Sequence, residues 1–520
     1  MDEEESSPAA FHREGIKSAA HNIATQRRRK HAVSLGKERR EALIRTKRMC
    51  REGLSSYIET SLEAEVFIDE EKSALDSQTD RTVQDLKSVL QLQGKGADQK
   101  KVETLRALRR LLSKSENPPV EAALRADVIP ALVQCLSFGS QDEQLLEAAW
   151  CLTNIAAGGP EETKSLLPSL PLLIAHLGEK SSLPVAEQCA WALGNVAGEG
   201  DELRNILQVQ GALTPLARLM LSNKVSSART AAWALSNLIK GPDSKAATDL
   251  IKIDGILDAI VRYLRMGDDL LATEVAWVVV YLSALSEVAL HVLAKSEVVQ
   301  HLVGRLAASD NLQLLIPVLR SLGNLIAGSS HITSAILLVG LDITERVVTA
   351  LIKCLKSENR VLRKEAAWVL SNIATGSLQH KEFIFSCEAT PVLVRLLSAA
   401  PFEIRKEAAF VLGNLCVTPR DDIRPPEIIV HHLVSLVNHG CLPGFINLVR
   451  CPDIEAARLG LQFLELVLRG MPDGRGPKLV EMEDGIDAME RFQFHENVEM
   501  RNMANMLVDK YFGEDYGLDE

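Results

Sequence analysis

A short motif recurs along this chain and constrains its fold more than any other feature. The first copy, EAAWCLTNIAAG, places a tryptophan at position 150, an asparagine four residues later and a glycine at the end. The copies carry the pairs Trp150/Asn154, Trp191/Asn195, Trp233/Asn237, Trp277/Tyr281, Arg320/Asn324, Trp368/Asn372 and Phe410/Asn414. All five tryptophans of the chain stand first in such a pair. The chain is therefore an array of repeats.

The period of the array indicates the kind of repeat. Successive first positions are 41 to 48 residues apart, and a helical repeat of about 40–47 residues is typical of armadillo and HEAT proteins. Helix-forming residues dominate, and no alternating run of β-branched residues predicts a strand. We expect a surface loop in TPRDDIRPPE, at 418–427. Beyond Asn414 the motif fades, and its best remaining match is Leu461 with Glu465.

The two residues of each pair lie four apart, so they share one face of a helix. We call them the aromatic position and the amide position. A single helical repeat cannot bury its apolar faces, so neighbouring repeats stack and equivalent helices align. The aromatic positions then form one row and the amide positions a second row parallel to it. These rows suit the cationic side chains and the backbone of an extended basic peptide. A tryptophan packed in the core is the competing interpretation of any single copy.

Composition narrows the class of protein. The chain is 46% hydrophobic and only 4% aromatic, which predicts a large aliphatic core. No apolar run reaches the roughly 18–20 residues of a membrane span, and the start MDEEESS has no signal-peptide core. Nine cysteines without metal-like spacing indicate buried thiols in a reducing compartment.

Charge is distributed unevenly along the chain. Residues 12–51 contain thirteen Lys and Arg against three Glu, a net charge of +10, which leaves −21 for the rest of a chain whose total is −11. Three interpretations of this arm stay open from its composition: a nucleic-acid arm, a solvated run of charge, and a helix that folds onto an acidic partner. Its single aromatic residue, Phe11, argues against nucleic acid.

Sequence motifs of catalysis are absent. The chain has no GxxxxGK[ST], HExxH or GxSxG, and GKGADQKK at Gly94 resembles a phosphate loop only in composition. We therefore predict no enzyme activity, no cofactor and no metal site.

The basic arm followed by Trp/Asn repeats resembles the importin α family of nuclear import adaptors. RRRKHAVSLGKERR resembles the family's importin-β-binding segment, LLSKSENPPVEAAL its first repeat, and HEN with KYFGED its tenth. The resemblance implies an all-α, right-handed superhelical armadillo-repeat solenoid of about ten repeats behind a flexible basic arm. The implied segments are an acidic tail at 1–10, the arm at 11–55, a flexible linker at 56–82, repeats at 83–512 and an acidic tail at 513–520.

Two binding sites for nuclear localisation signals follow from the resemblance. The implied major site is Trp150, Asn154, Gly158, Thr163, Gln188, Trp191, Asn195, Glu199, Trp233 and Asn237. The implied minor site is Glu274, Trp277, Tyr281, Arg320, Asn324, Thr333, Glu365, Trp368, Asn372, Glu407, Phe410 and Asn414. Glu199 replaces the family's Asp beside the key lysine, and Phe410 replaces a Trp. We expect Arg320 to repel a ligand cation between the two sites.

The resemblance also assigns roles and partners to the basic arm. The residues implied in binding importin β and in self-inhibition are Arg27, Arg28, Arg29, Lys30, Lys37, Arg39, Arg40, Arg45, Lys47, Arg48 and Arg51. Thr46 stands where the family's signal mimic begins with Lys, so we expect weak self-inhibition. Implied partners are cargo proteins with basic localisation signals, importin β, an export receptor and nucleoporins, with neither nucleic acid nor membrane. The implied localisation is shuttling between cytoplasm and nucleus. A signalling or junctional armadillo scaffold, with a basic groove for acidic tails, is the rival interpretation.

Overall fold

The computed structural model describes residues 62–94, 96–113, 118–241, 243–327, 341–417 and 425–513, and for 62–71 and 341–344 the backbone alone. Every regular element within these ranges is a helix. The acidic tail 1–10, the arm 11–55, Thr333 and most of the expected loop at 418–427 lie outside the described residues.

The described chain divides into two compact units, with the boundary between Val298 and Val299. Helices of the first unit are α1 (Leu62–Leu90), α2 (Ala97–Leu112), α3 (Val120–Arg125), α4 (Val128–Cys135), α5 (Asp142–Ala156), α6 (Pro160–Lys164), α7 (Leu170–Ala175), α8 (Leu183–Glu199), α9 (Asp201–Val209), α10 (Leu213–Met220), α11 (Val225–Leu238), α12 (Lys245–Ile251), α13 (Ile256–Arg265), α14 (Asp269–Leu285) and α15 (Glu287–Ala294). Those of the second unit are α16 (Val298–Ala308), α17 (Leu312–Ile326), α18 (Leu341–Leu355), α19 (Arg360–Ala374), α20 (Leu378–Ser386), α21 (Ala389–Ala399), α22 (Phe402–Leu415), α23 (Glu427–Asn438), α24 (Leu442–Val449), α25 (Ile454–Gly470), α26 (Gly476–Met482), α27 (Gly485–Glu490) and α28 (Val498–Phe512). Short 3-10 turns occupy Leu167–Ser169 and Pro472–Gly474.

Most of the described repeats have two shorter helices followed by a longer third helix, which carries the aromatic and amide positions. In the repeat of Trp191 these are α6, α7 and α8, and α6 and α8 both have proline in their first turn, where its missing N–H is tolerated. On α8, Val185, Cys189, Leu193 and Val196 are buried at helical spacing. Full burial of such an aliphatic side chain stabilises by about 1.5–3 kcal/mol, so the stripe commits α8 to the core.

Third helices pack side by side within each unit. In the first unit α2, α5, α8, α11 and α14 follow one another, and in the second unit α17, α19, α22, α25 and α28 do so. The repeated three-helix layer is the architecture that the period predicts, and the expectation of an all-α armadillo fold is confirmed.

Helix α1 corrects the expected linker. Residues 62–82 are helical, so at most residues 56–61 remain of the flexible linker expected at 56–82. The reason is burial: Thr79, Val83 and Leu86 are fully buried on one face of α1, which packs on α2 and α3. Asp76 also accepts a hydrogen bond from Arg125 at 2.9 Å. Between residues 72 and 82 most of the polar side chains lie on the exposed face of this helix.

The eight cysteines within the described ranges are free thiols, six of them buried. Burial raises the pKa of the Cys416 thiol to about 12. Such thiols behave as small apolar core residues. No single helix among the described residues is long and apolar enough to cross a membrane, although α23 and α24, bent by 84°, pass that test as a pair.

Candidate functional site

The amide positions link each third helix to the one before it. Asn195 donates to the carbonyl oxygen of Thr153 at 3.1 Å, and Asn237 donates to that of Gly194 at 3.0 Å. In the second unit, Asn372 donates to the carbonyl oxygen of Gly323 at 3.0 Å and Asn414 to that of Ser371 at 3.1 Å. In these four bonds the acceptor is the carbonyl oxygen of the residue before the preceding repeat's amide position. One N–H of each carboxamide is thus used in holding neighbouring repeats together.

This bond fixes how each carboxamide is oriented. An amide has two N–H donors and one oxygen acceptor, and the bond to the preceding helix uses one donor. Within the described residues, the side-chain oxygens of Asn195, Asn237 and Asn372 accept no hydrogen bond. Each of these side chains therefore keeps one donor and one acceptor in a fixed orientation, the pair that the backbone of an extended chain requires.

The aromatic positions lie against the same part of the preceding helix. A Cβ added to Gly194 would overlap the ring of Trp233, and one added to Gly323 would overlap that of Trp368. Glycine before the amide position therefore lets the next ring lie directly on the backbone. Trp150, Trp191 and Trp368 are half-buried, whereas Trp233, Trp277 and Phe410 are 2%, 6% and 7% exposed.

We call residues 150–154, 191–195, 233–237 and 277–281 the first ladder, and residues 320–324, 368–372 and 410–414 the second ladder. The first lies on α5, α8, α11 and α14, and the second on α17, α19 and α22. Trp277, Tyr281 and Glu274, which the resemblance assigns to the minor site, lie in the first unit on the helix after Trp233. The rings of Trp277 and Tyr281 stack at 6.1 Å between centroids.

A third row of residues lies three positions before each aromatic position. The acidic and amide residues of this row are buried, at 5–8% exposed: Glu147, Gln188, Glu274, Glu365 and Glu407. All except Glu147 were among the site residues expected from the sequence. Gln188 donates to the hydroxyl of Thr153 at 2.7 Å. Glu365 accepts from Arg320 at 2.8 Å, and both side chains are buried.

This ion pair corrects the expected role of Arg320. A lone guanidinium would repel a ligand cation, but Arg320 is paired with Glu365, so much of its charge is neutralised locally. The same pair engages the Glu365 carboxylate, which was expected to serve a ligand. The position of Arg320 in the row of aromatic positions is as the sequence predicts.

Sequence reasoning missed Glu147, the first member of the third row, and the repeat before it, which supplies its partner Arg109. Arg109 on α2 and Ser113, the residue that follows α2, lie 41 residues before Trp150 and Asn154, the step that separates Trp150 from Trp191. Asn154 donates to the Ser113 hydroxyl at 2.8 Å, and the Arg109 side chain bonds to Glu147. The period alone could have identified this pair, but neither residue resembles Trp or Asn.

The residues expected around the key lysine lie near the carboxyl ends of two third helices, Gly158 just after α5 and Glu199 on α8. Gly158 and Glu199 are half-buried, and Glu199 is the last residue of α8. Thr163 is 1% exposed, and its hydroxyl donates to the carbonyl of Gly159 at 2.8 Å. Thr163 can therefore offer a ligand only the lone pairs of its hydroxyl oxygen.

The positions equivalent to Thr163 in two other repeats hold buried cations. Arg204 and Lys381 each lie nine residues after an amide position, as Thr163 does. Arg204 donates to the carbonyl of Ala197 at 3.0 Å, and Lys381 donates to that of Ala374 at 2.5 Å and to that of Asn414. The carboxyl end of a helix carries partial negative charge, so this corner of a repeat readily accommodates a cation.

The described ranges also bear on a metal site and on the end of the array where the motif fades. No group of three or more His, Cys, Asp or Glu there could hold a metal ion. Leu461, expected as the faded aromatic position, is fully buried, while Gln462 and Leu466, each one residue after an expected position, are half-buried on α25.

Comparison with family models and known structures agrees with the repeat geometry. A model described as armadillo/beta-catenin-like repeat matches residues 116–157, 200–240, 343–375 and 377–417, and a HEAT-like repeat model matches 142–196. A crystal structure of an engineered protein superposes with a TM-score of 0.70 over 83% of this chain and 98% of its own, at 24% identity. That likeness shows the fold.

Two curated relatives match along nearly their whole length. Importin subunit alpha-9 of Arabidopsis thaliana is 66% identical over 513 residues, which cover 98% of this chain and 99% of the relative. Importin subunit alpha-2 of Oryza sativa subsp. japonica is 64% identical over 515 residues, which cover 99% and 98%.

Proposed function

Because the chain belongs to the importin α family, we propose that it is a nuclear import adaptor that binds basic nuclear localisation signals on its two ladders. Its family consists of transport adaptors rather than enzymes. The observation that supports the proposal most directly is the fixed carboxamide row. Asn195, Asn237 and Asn372 present one donor and one acceptor each at the regular step of the repeats.

Charge supports a basic ligand. The chain outside residues 12–51 carries a net charge of −21, and carboxylates of Glu274 and Glu407 lie beside the aromatic positions. A cationic stem between indole rings gains roughly 0.5–2 kcal/mol per contact. An armadillo scaffold for acidic tails would need basic residues in this row, and the row has acids.

We place the key lysine of a signal at Gly158, Thr163 and Glu199. The carbonyl ends of α5 and the Glu199 carboxylate all favour an ammonium group. Lys381 provides an internal precedent, since its ammonium group bonds to two backbone carbonyls at the corresponding corner of another repeat. Glu199 in place of Asp keeps the charge but adds one methylene of reach.

The arm at 11–55 is proposed to bind importin β and to compete weakly for the first ladder. The tether is shorter than the sequence indicates, because α1 begins at Leu62, eleven residues after Arg51. A flexible coil of that length reaches about 17–20 Å, and close tethering supplies an effective concentration of order 1 mM. Lys47 is the residue we expect in the key pocket. Recycling by an export receptor, contact with nucleoporins and shuttling between cytoplasm and nucleus follow from the same role.

Binding of two peptides tests the proposal. The full chain and a chain lacking residues 1–55 are titrated with a lysine-rich peptide and with an acidic peptide of equal length. We expect the basic peptide alone to bind, and more tightly to the shortened chain. The shortened chain should also lose importin β. Preference for the acidic peptide would favour the scaffold interpretation instead.

Self-inhibition has its own variant. Thr46→Lys should weaken binding of the basic peptide by the full chain, because it completes the signal mimic. The chain lacking residues 1–55 has no residue 46, so its peptide affinity serves as the reference for a groove without the arm. Equal peptide affinity of the full and shortened wild-type chains would show that the arm does not compete.

A further inference from the structure

Arg109 lies one repeat before the first ladder, at the place where a preceding aromatic position would be. It lies one repeat step before Trp150, and Ser113, four residues later, accepts the hydrogen bond of Asn154 as a member of the amide row. The layer of α2 is therefore continuous with the ladder on α5. Its aromatic position holds a cation where most later repeats hold a ring.

The guanidinium of Arg109 contacts both groups that a ligand cation would use here. Its central carbon lies 4.3 Å from the centroid of the Trp150 ring, well inside the roughly 6 Å range of a cation–π contact. It also bonds to the carboxylate of Glu147, whose side chain is 8% exposed, while that of Arg109 is 17% exposed. A half-buried ring and a buried carboxylate are thus engaged by a cation of the chain itself.

We propose that Arg109 is a built-in occupant of a cation slot, which ends the first ladder and limits how many consecutive basic residues of a peptide it can bind. The inference rests on the proposed function. A peptide lysine directed at this face of Trp150 must displace Arg109, and the two positive charges repel each other. A signal therefore gains little from a further basic residue at the end that lies over α2.

The second ladder contains a matched position. Arg320 occupies its first aromatic position and pairs with Glu365, three residues before Trp368, as Arg109 pairs with Glu147, three residues before Trp150. An arginine bonded to the acid of the next repeat thus stands one repeat before Trp150 and at the first position of the second ladder. Arg320 provides a control that changes the same residue type in the same position of the other ladder.

The test compares peptides that differ by one lysine. A five-residue basic cluster flanked by glycine and serine is extended by one lysine at its amino or its carboxyl end, and affinities for the full chain are measured at fixed salt. In the wild type we expect each extension to change affinity by less than about twofold. In Arg109→Met, which keeps an apolar stem and removes the charge, one extension should strengthen binding about three- to tenfold.

Further variants locate the effect. Arg109→Lys should behave as the wild type, and the gain in Arg109→Met should persist when Trp368→Ala weakens the second ladder. Arg320→Met with Glu365→Leu removes the matched arginine without leaving Glu365 unpaired, and should leave the extension ratio at its wild-type value. If Arg109→Met does not fold, as judged by circular dichroism and thermal melting, Arg109→Gln replaces it, because glutamine can still bond to Glu147.

The outcomes separate the two levels of the argument. Equal extension ratios in the wild type and in the Arg109 variant would overturn the slot alone, as would a strong gain from extension in the wild type. Failure of the wild type to bind either basic peptide would overturn the proposed function, and the slot with it. A gain seen in Arg109→Met or Arg109→Gln, and absent from Arg109→Lys and the wild type, would support both.

Discussion

In the first ladder the acid before the leading tryptophan, Glu147, is bonded by Arg109 and lies 3.5 Å from Arg106. In the second ladder the equivalent acid, Glu365, has Arg320 as its partner within the described residues. The aromatic content differs as well. Four tryptophans stand in the first ladder, and the second has Trp368, Phe410 and an arginine. The two ladders therefore have equivalent positions, but the first has a second arginine near its acid and more indole rings. Substitutions should affect the two ladders unequally.

The largest difference is expected from removing the leading arginine. Arg320→Ala leaves Glu365 buried without a counter-charge, and breaking one partner of a buried ion pair costs about 3–5 kcal/mol. Arg109→Ala should cost about 1–2 kcal/mol, because Arg106 still reaches Glu147 and Arg109 is partly exposed. Urea denaturation of the two variants measures the difference. Equal losses would show that Arg106 gives no redundancy. Arg320→Leu with Glu365→Leu should recover most of the stability.

Binding of a single basic cluster should depend far more on the first ladder. Trp191→Ala with Asn195→Ala removes two contacts and should weaken the peptide about 10- to 100-fold. The matched pair of changes, Trp368→Ala with Asn372→Ala, should weaken it by less than about fivefold. Fluorescence polarisation with a labelled peptide measures both. A reversed order of the two losses would exchange the roles of the ladders.

The glycine before the amide position gives a more local comparison. Gly194→Ala and Gly323→Ala each drive a methyl group into an indole ring, and overpacking of this kind costs about 1–3 kcal/mol. In Gly413→Ala the new methyl group meets only Leu459 Cδ1, at 3.6 Å. That change should be neutral or stabilise by up to about 1 kcal/mol, because alanine favours a helix. Thermal melting distinguishes them, and a uniform effect at all three positions would contradict the packing of the rings.

The smallest effect concerns the weakest ring of the second ladder. Phe410→Trp should strengthen a peptide confined to that ladder by roughly 0.5–1 kcal/mol, a few-fold in affinity. The neighbour before the preceding amide position is Ser371, and the equivalent Ser236 already precedes Trp277, so an indole can fit over serine. A peptide confined to the first ladder should be unaffected by the change. An equal gain for both peptides would remove the assignment of Phe410 to the second ladder.

Periodicity made the repeats and both ladders predictable from sequence, because the Trp/Asn pairs recur at one step. What sequence could not predict were contacts made across that step. The bond from Asn195 to Thr153 and the pairing of Arg320 with Glu365 join residues 42 and 45 apart, and no local pattern indicates them. The linker prediction was wrong for residues 62–82, which are helical. Between 72 and 82 only Thr79 is buried and most side chains are exposed, so the sequence there has no apolar stripe that would indicate a helix.

The amide row also has a consequence for how the chain folds. Each of the bonds made by Asn195, Asn237, Asn372 and Asn414 crosses a boundary between repeats, so it exists only when both neighbours are folded. In a linear array, such nearest-neighbour terms are what make repeats unfold together rather than one by one. The residues that we propose to face a ligand thus also join neighbouring repeats. A ligand that engages several of them at once should sharpen the unfolding transition as well as raise its midpoint.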